Sequence, residues 1–148
     1  MNKKGFTLIE LLIVVAIIGI IAAIAIPNLL VAIQKGKQKA TMADMKTIGT
    51  ACSAYMTDFY IAPTTLEDDG FGRHRDFYMP HFPIQDGWGG TWNYLRSRPD
   101  ELYTIHSFGK NRTPDPVSVG SYVVTSLAGF NNDIVFQNGS FVWGPRVK

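Results

Sequence analysis

GFTLIE at residues 5–10, followed by LLIVVAIIGIIAAIAIPNLLVAI at 11–33, decides how the rest of the chain is read. The 23 residues from Leu11 to Ile33 contain no Asp, Glu, Lys or Arg. At 1.5 Å rise per residue such a run is about 35 Å long as a helix, slightly more than the ~30 Å hydrocarbon core of a bilayer. A soluble protein could hide a rod of that length only inside a large core, and what remains of a 148-residue chain cannot wrap it. The segment reads as a membrane span.

The flanks qualify that reading. Lys3 and Lys4 precede the run as the positive region of a signal sequence would, yet no small-residue cleavage site follows it. The chain continues into Gln34-Lys35-Gly36-Lys37-Gln38-Lys39, so nothing marks a cut that would discard the helix. With lysines on both sides, the positive-inside rule is ambiguous about orientation. The cluster Lys35, Lys37 and Lys39 suits lipid headgroups or a solvated helix face. Apart from these lysines, the chain's 14 basic and 12 acidic residues are scattered, which argues against a nucleic-acid footprint. One residue breaks the apolar pattern: Glu10. An ionisable group at the edge of the hydrocarbon either snorkels to the headgroups or needs a partner.

The stretch from Gly5 to Asn28 resembles the type IV pilin and pseudopilin family. The resemblance implies that a prepilin peptidase cuts between Gly5 and Phe6 and that Phe6 is then N-methylated, so the helix is kept. It implies residues 1–5 as a cytoplasmic leader, 6–33 as the transmembrane and assembly half of one long helix, and a head facing the periplasm from the bacterial inner membrane. Cleavage creates a positive α-amino group at Phe6, and a carboxylate in a low-dielectric fibre core can pair with that group on an adjacent copy. Phe6, Glu10 and Pro27 are thus the expected assembly residues. Pro27 removes one helical hydrogen bond and is where the rod would bend or open.

Past the membrane the helix is expected to persist, from about Phe6 to about Tyr60, with residues 34–60 as an amphipathic half. Met45, Ile48, Cys52, Tyr55, Met56 and Phe59 recur at steps of three or four and would face a sheet, while Asp44, Lys46, Thr50 and Asp58 form the polar side. Core packing, not a cofactor stripe, is what Met42, Met45, Met56 and these aromatics imply. Cys52, the sole cysteine, reads as a buried small hydrophobe. Ala62-Pro63-Thr64 ends the helix, and residues 61–148 form the head. Asp86-Gly87-Trp88-Gly89-Gly90 signals a turn, and strands are expected at 91–96, 101–107, 121–126 and 133–143, the last folded at Asn138-Gly139 as a type I′ hairpin. The expected fold is α+β: a long N-terminal helix packed on a small antiparallel sheet.

The head also resembles the major pseudopilins of type II secretion systems, which carry an Asp-Pro-Trp-Gly turn and, after a strand, a Ser-x-Gly stretch. Here these are Asp86-Gly87-Trp88-Gly89 and Ser107-Phe108-Gly109, Gly87 standing where proline would stiffen the turn. The resemblance further raises a Ca2+ site at Asn132 and Asp133, set against a plain Asx-rich turn. Lys110 and Arg112 depart from the expected Asp-Gly region, and 117–128 looks like an added strand. His74, His81 and His106 lack metal-ligand spacing, and no nucleophile motif or phosphate loop appears, so no enzyme is expected.

The expectation is therefore a structural subunit of a type II secretion pseudopilus. It would be processed by the prepilin peptidase and would polymerise with itself, other pseudopilins and an inner-membrane assembly platform in contact with membrane lipid, driving protein export through a secretin. The alternative is the major pilin of a type IV pilus, serving adhesion, twitching motility or DNA uptake. Many such pilins staple the C-terminal region with a disulfide, which a lone cysteine forbids within one chain.

Overall fold

A computed structural model describes residues 5–71, 75–97, 102–116 and 119–146. One helix dominates it: α1, Leu8–Phe59, 52 residues and so about 78 Å long. It starts where a capping box can form. Thr7 stands in extended geometry ahead of the first turn, its hydroxyl accepts from the Glu10 N–H at 3.3 Å, and the Glu10 carboxylate reaches back to the Thr7 N–H at 2.8 Å. It stops at Tyr60, whose left-handed φ of 60° turns the chain away while its N–H closes on the Met56 carbonyl at 2.8 Å. These ends lie within two residues of the expected ones. Pro27 sits inside the helix without ending it.

The apolar half of α1 is almost entirely exposed, with Val31, near its end, packed against the edge of the head's core. Its most apolar 18-residue window has a mean hydropathy of 3.1 and buries nothing. In the second half Met45, Ile48, Cys52 and Tyr55 turn to the sheet as the stripe requires, joined by Gln38, Thr41, Gly49 and Ala51. Phe59 does not belong to that buried set. At the last helical position it is 47% exposed and only leans on Tyr55, with ring centroids 4.5 Å apart. A 3-10 turn at Asp68–Phe71 and the single-turn helix α2, Arg75–Tyr78, lead onward. Here Phe71 is buried beside Tyr55, and the Tyr78 hydroxyl donates to Asp58 at 2.7 Å.

Five strands follow: β1, Asn93–Ser97; β2, Leu102–Ser107; β3, Gly120–Tyr122; β4, Ile134–Gln137; and β5, Ser140–Pro145. Their spatial order is β1-β2-β4-β5-β3. β1–β2, β2–β4 and β4–β5 are antiparallel, the last pair turning at Asn138 and Gly139 with φ of 42° and 89°, as the type I′ reading requires. β3, however, pairs parallel with β5, setting Gly120 opposite Trp143 and Tyr122 opposite Pro145. The sheet is mixed, not purely antiparallel. Three residues carry no pattern from which a strand's direction can be read, and the long connection from β2 fixes it instead. The expected strand at 121–126 is correspondingly short: the chain leaves the sheet after Tyr122 and forms a 3-10 turn at Leu127–Asn131. Glu101, Val117 and Ser118, at the starts of two expected segments, lie outside the described residues, as do His74 and the leader residues 1–4.

Along β2 the side chains alternate, Tyr103, Ile105 and Ser107 buried and their neighbours half-buried. The Tyr103 hydroxyl donates to the Gly49 carbonyl at 2.8 Å, pinning sheet to helix. Gly49 itself allows the approach, because a Cβ there would overlap the Phe136 ring.

Candidate functional site

The chemistry expected of the N-terminus needs three things in one short stretch: a reachable peptide bond, a free terminus after cleavage, and a carboxylate nearby. Residues 5–7 are non-helical and exposed, so the Gly5–Phe6 bond lies just outside α1, where a protease can bind extended backbone. Phe6 is 79% exposed. Glu10, one turn in, is folded back on Thr7, whose N–H at 2.8 Å and hydroxyl at 2.6 Å both donate to Oε2. Phe6 adjoins Thr7, so the cap holds the acidic side chain at the same end of the helix as the Gly5–Phe6 bond. Pro27 lies 17 positions on from Glu10, and Asn28 beside it donates to the Ile24 carbonyl at 3.0 Å.

The two head motifs meet. Asp86, 6% exposed, accepts the Trp88 N–H at 2.9 Å and the Gly90 N–H at 2.7 Å on one oxygen, and the buried Ser107 hydroxyl at 2.6 Å on the other. A buried carboxylate is tolerable when its lone pairs are filled in this way. The turn is docked on α1 as well: Trp88 Nε1 donates to Gln34 at 2.7 Å and the Gly87 N–H to the Thr41 hydroxyl at 2.9 Å. Gly87 is therefore no loosened proline. It supplies an N–H that proline lacks, and a Cβ there would run into the Lys37 carbonyl. Arg112, at a φ of 58°, donates through Nη2 to the Trp88 carbonyl. Gly109, φ 62°, brings the Ser-x-Gly stretch against the carbonyls of Phe130, Asn131 and Asn132.

Asp133 is fully buried at the entry to β4. Its Oδ2 lies 2.9 Å from His106 Nε2 and accepts the Asp115 N–H at 2.8 Å. Burial pushes the Asp133 carboxyl above its ordinary value, while the Asp115 N–H and His106 pull it back. Calcium takes six to eight oxygen donors. The Asn132 carbonyl already accepts from Tyr122 Oη at 3.3 Å, and among the described residues no three His, Cys, Asp or Glu side chains gather. Asp133 Oδ1 is buried without a partner. Nitrogen groups facing the carboxylate and carbonyls already engaged do not make a calcium cage, so the residues present do not fit that ion.

Sequence spacing alone set His106 aside for want of metal ligands nearby and so missed its partner 27 residues away. Thr41 and Gln34, which hold the turn, were likewise missed, because neither carries a signal beyond its place on one helical face. His81 is exposed. Burial raises the Cys52 thiol to about 12, which fits an inert core position.

Residues 1–26 match the prokaryotic N-terminal methylation motif. The type II secretion system core protein G of Pseudomonas aeruginosa is 30% identical over 129 residues, covering 77% of this chain and 90% of that protein. That of Vibrio cholerae is 32% identical over 120 residues, covering 72% and 79%. By contrast, the type IV major pilin protein PilA of Myxococcus xanthus is 49% identical over 57 residues, only 38% of this chain and 26% of that pilin. No solved structure matches the chain.

Proposed function

Because the chain belongs to the family of type II secretion system core protein G, the major pseudopilins, we propose that it acts as they do by polymerising from the inner membrane into a short periplasmic fibre that drives folded proteins out through a secretin. Its role is that of a structural subunit. The observation that carries this reading is coverage: the core protein G relatives match across rod and head, over 77% and 72% of the chain, whereas the pilin likeness covers 38%. An assembly rod is common ground between pili and pseudopili, so the head discriminates.

In this reading the α1 half up to Ile33 anchors the precursor, the leader stays cytoplasmic and the head enters the periplasm. The prepilin peptidase cuts between Gly5 and Phe6, and N-methylation of Phe6 leaves its positive charge in place. Thr7 engages Oε2 of Glu10, which leaves Oε1 to meet the amine of a neighbouring copy. A charge pair in hydrocarbon is stable only when both members are present, so the pair fixes the axial register of one rod on the next. Pro27, with one helical hydrogen bond missing, is the point at which the rod yields during packing. The inner-membrane platform and other pseudopilins complete the fibre, and this chain needs no nucleotide of its own. Cys52 lies in the core and cannot form an intrachain staple of the pilin kind.

Deleting the gene in its own bacterium is expected to leave exported enzymes trapped in the periplasm, with re-expression of the chain restoring their release. Unchanged secretion together with lost surface fibres would instead establish the pilus reading.

A further inference from the structure

We propose that this head closes its C-terminal loop without a metal: the imidazole of His106, seated on Asp133, joins β2, the 108–116 loop and the entry to β4 where a divalent cation would otherwise have to do so. A buried carboxylate needs charge or several donors to offset its lost hydration. Asp133, 0% exposed, receives two: His106 Nε2 from β2 at 2.9 Å and the Asp115 N–H from the loop at 2.8 Å. Three segments distant in sequence therefore meet on one oxygen.

Two of the carbonyl oxygens a cation would collect are already engaged. The Phe130 carbonyl accepts the Lys110 N–H at 2.9 Å and the Asn132 carbonyl accepts from Tyr122 at 3.3 Å. The imidazole is held in place as well, Phe108 standing edge-on to its ring at 4.8 Å and β pairing setting His106 opposite Val135. Gly109 lets the loop lie flat on the carbonyls before Asp133. This inference concerns the closure of the head and holds whichever fibre the subunit builds.

The test uses the full-length protein in detergent micelles. Titrating it with CaCl2 by calorimetry, and melting it in CaCl2 and in EDTA, is expected to give no binding heat and the same Tm. A site loaded far beyond its Kd would raise Tm by several degrees. His106→Ala and Asp133→Asn are each expected to lower Tm by about 5–10 °C, and the double variant by no more than the larger single loss. His106→Gln, which retains an N–H donor, recovers part of the loss and supplies the readout should the alanine variant not fold. Calcium binding that raises the wild-type Tm, a His106→Ala protein that melts like wild type, or fully additive losses would each overturn the proposal.

Discussion

The two halves of α1 are one uninterrupted helix with opposite surroundings. From Leu8 to Leu30 the large apolar side chains are exposed, Ile9, Ile17, Ile20 and Ile24 each by more than half. From Gln38 to Tyr55 the same helix is buried along one face, and hydrogen bonds from Tyr103, Gly87 and, at Gln34, Trp88 tie it to the head. The backbone is alike in both, so the difference lies in what finishes the structure. The second half is completed by its own sheet; in the proposed reading the first is completed by lipid and by other copies of itself. Folding of the head and assembly of the fibre are therefore separable, and substitutions should sort cleanly between them.

The sharpest separation comes from Glu10→Ala. It should leave membrane insertion and the melting of the head unchanged while lowering sheared-fibre yield by at least about tenfold, the equivalent of about 1.4 kcal/mol or more in subunit association. Fibres at normal yield would show that the rod half is held by apolar packing alone. In the other half, Asp86→Ala strips the acceptor from two backbone N–H groups and a buried hydroxyl, and is expected to destabilise the head by about 3 kcal/mol, read from denaturant melts with the protein still correctly membrane-inserted. Gly87→Pro should act more mildly, by about 2 kcal/mol, through loss of the Thr41 bond and the clash with the Lys37 carbonyl. A stabilised Gly87→Pro head would mean that the turn can shift away from α1.

What the sequence made legible follows the same division. The rod is written in the sequence: a charge-free run, the resemblance at Gly5 to Glu10 and the Ala62-Pro63-Thr64 stop place its ends within two residues. The helix-to-sheet stripe was legible because burial repeats at 3.6, and it failed at Phe59, where the helix ends and periodicity no longer reports what lies opposite. The hairpin at Asn138-Gly139 announces itself because few dipeptides adopt two positive φ values. The parallel pairing of β3 could not be read, since direction is set by a long connection and not by the three residues that pair. Nor could the His106–Asp133 contact, which exists only because β2 and β4 are neighbours in space. Asp86 and Ser107 were each legible as parts of a resemblance; that one receives the other's hydroxyl is a fact of the fold.

The central claim is that the apolar rod is retained in the mature subunit and assembles through its newly made terminus. Intact-mass analysis of the chain purified from the membranes and sheared fibres of its own bacterium tests this most directly. The account predicts a mature protein that begins at Phe6, carries one added methyl group and keeps the whole apolar segment. A soluble species lacking that segment would contradict it.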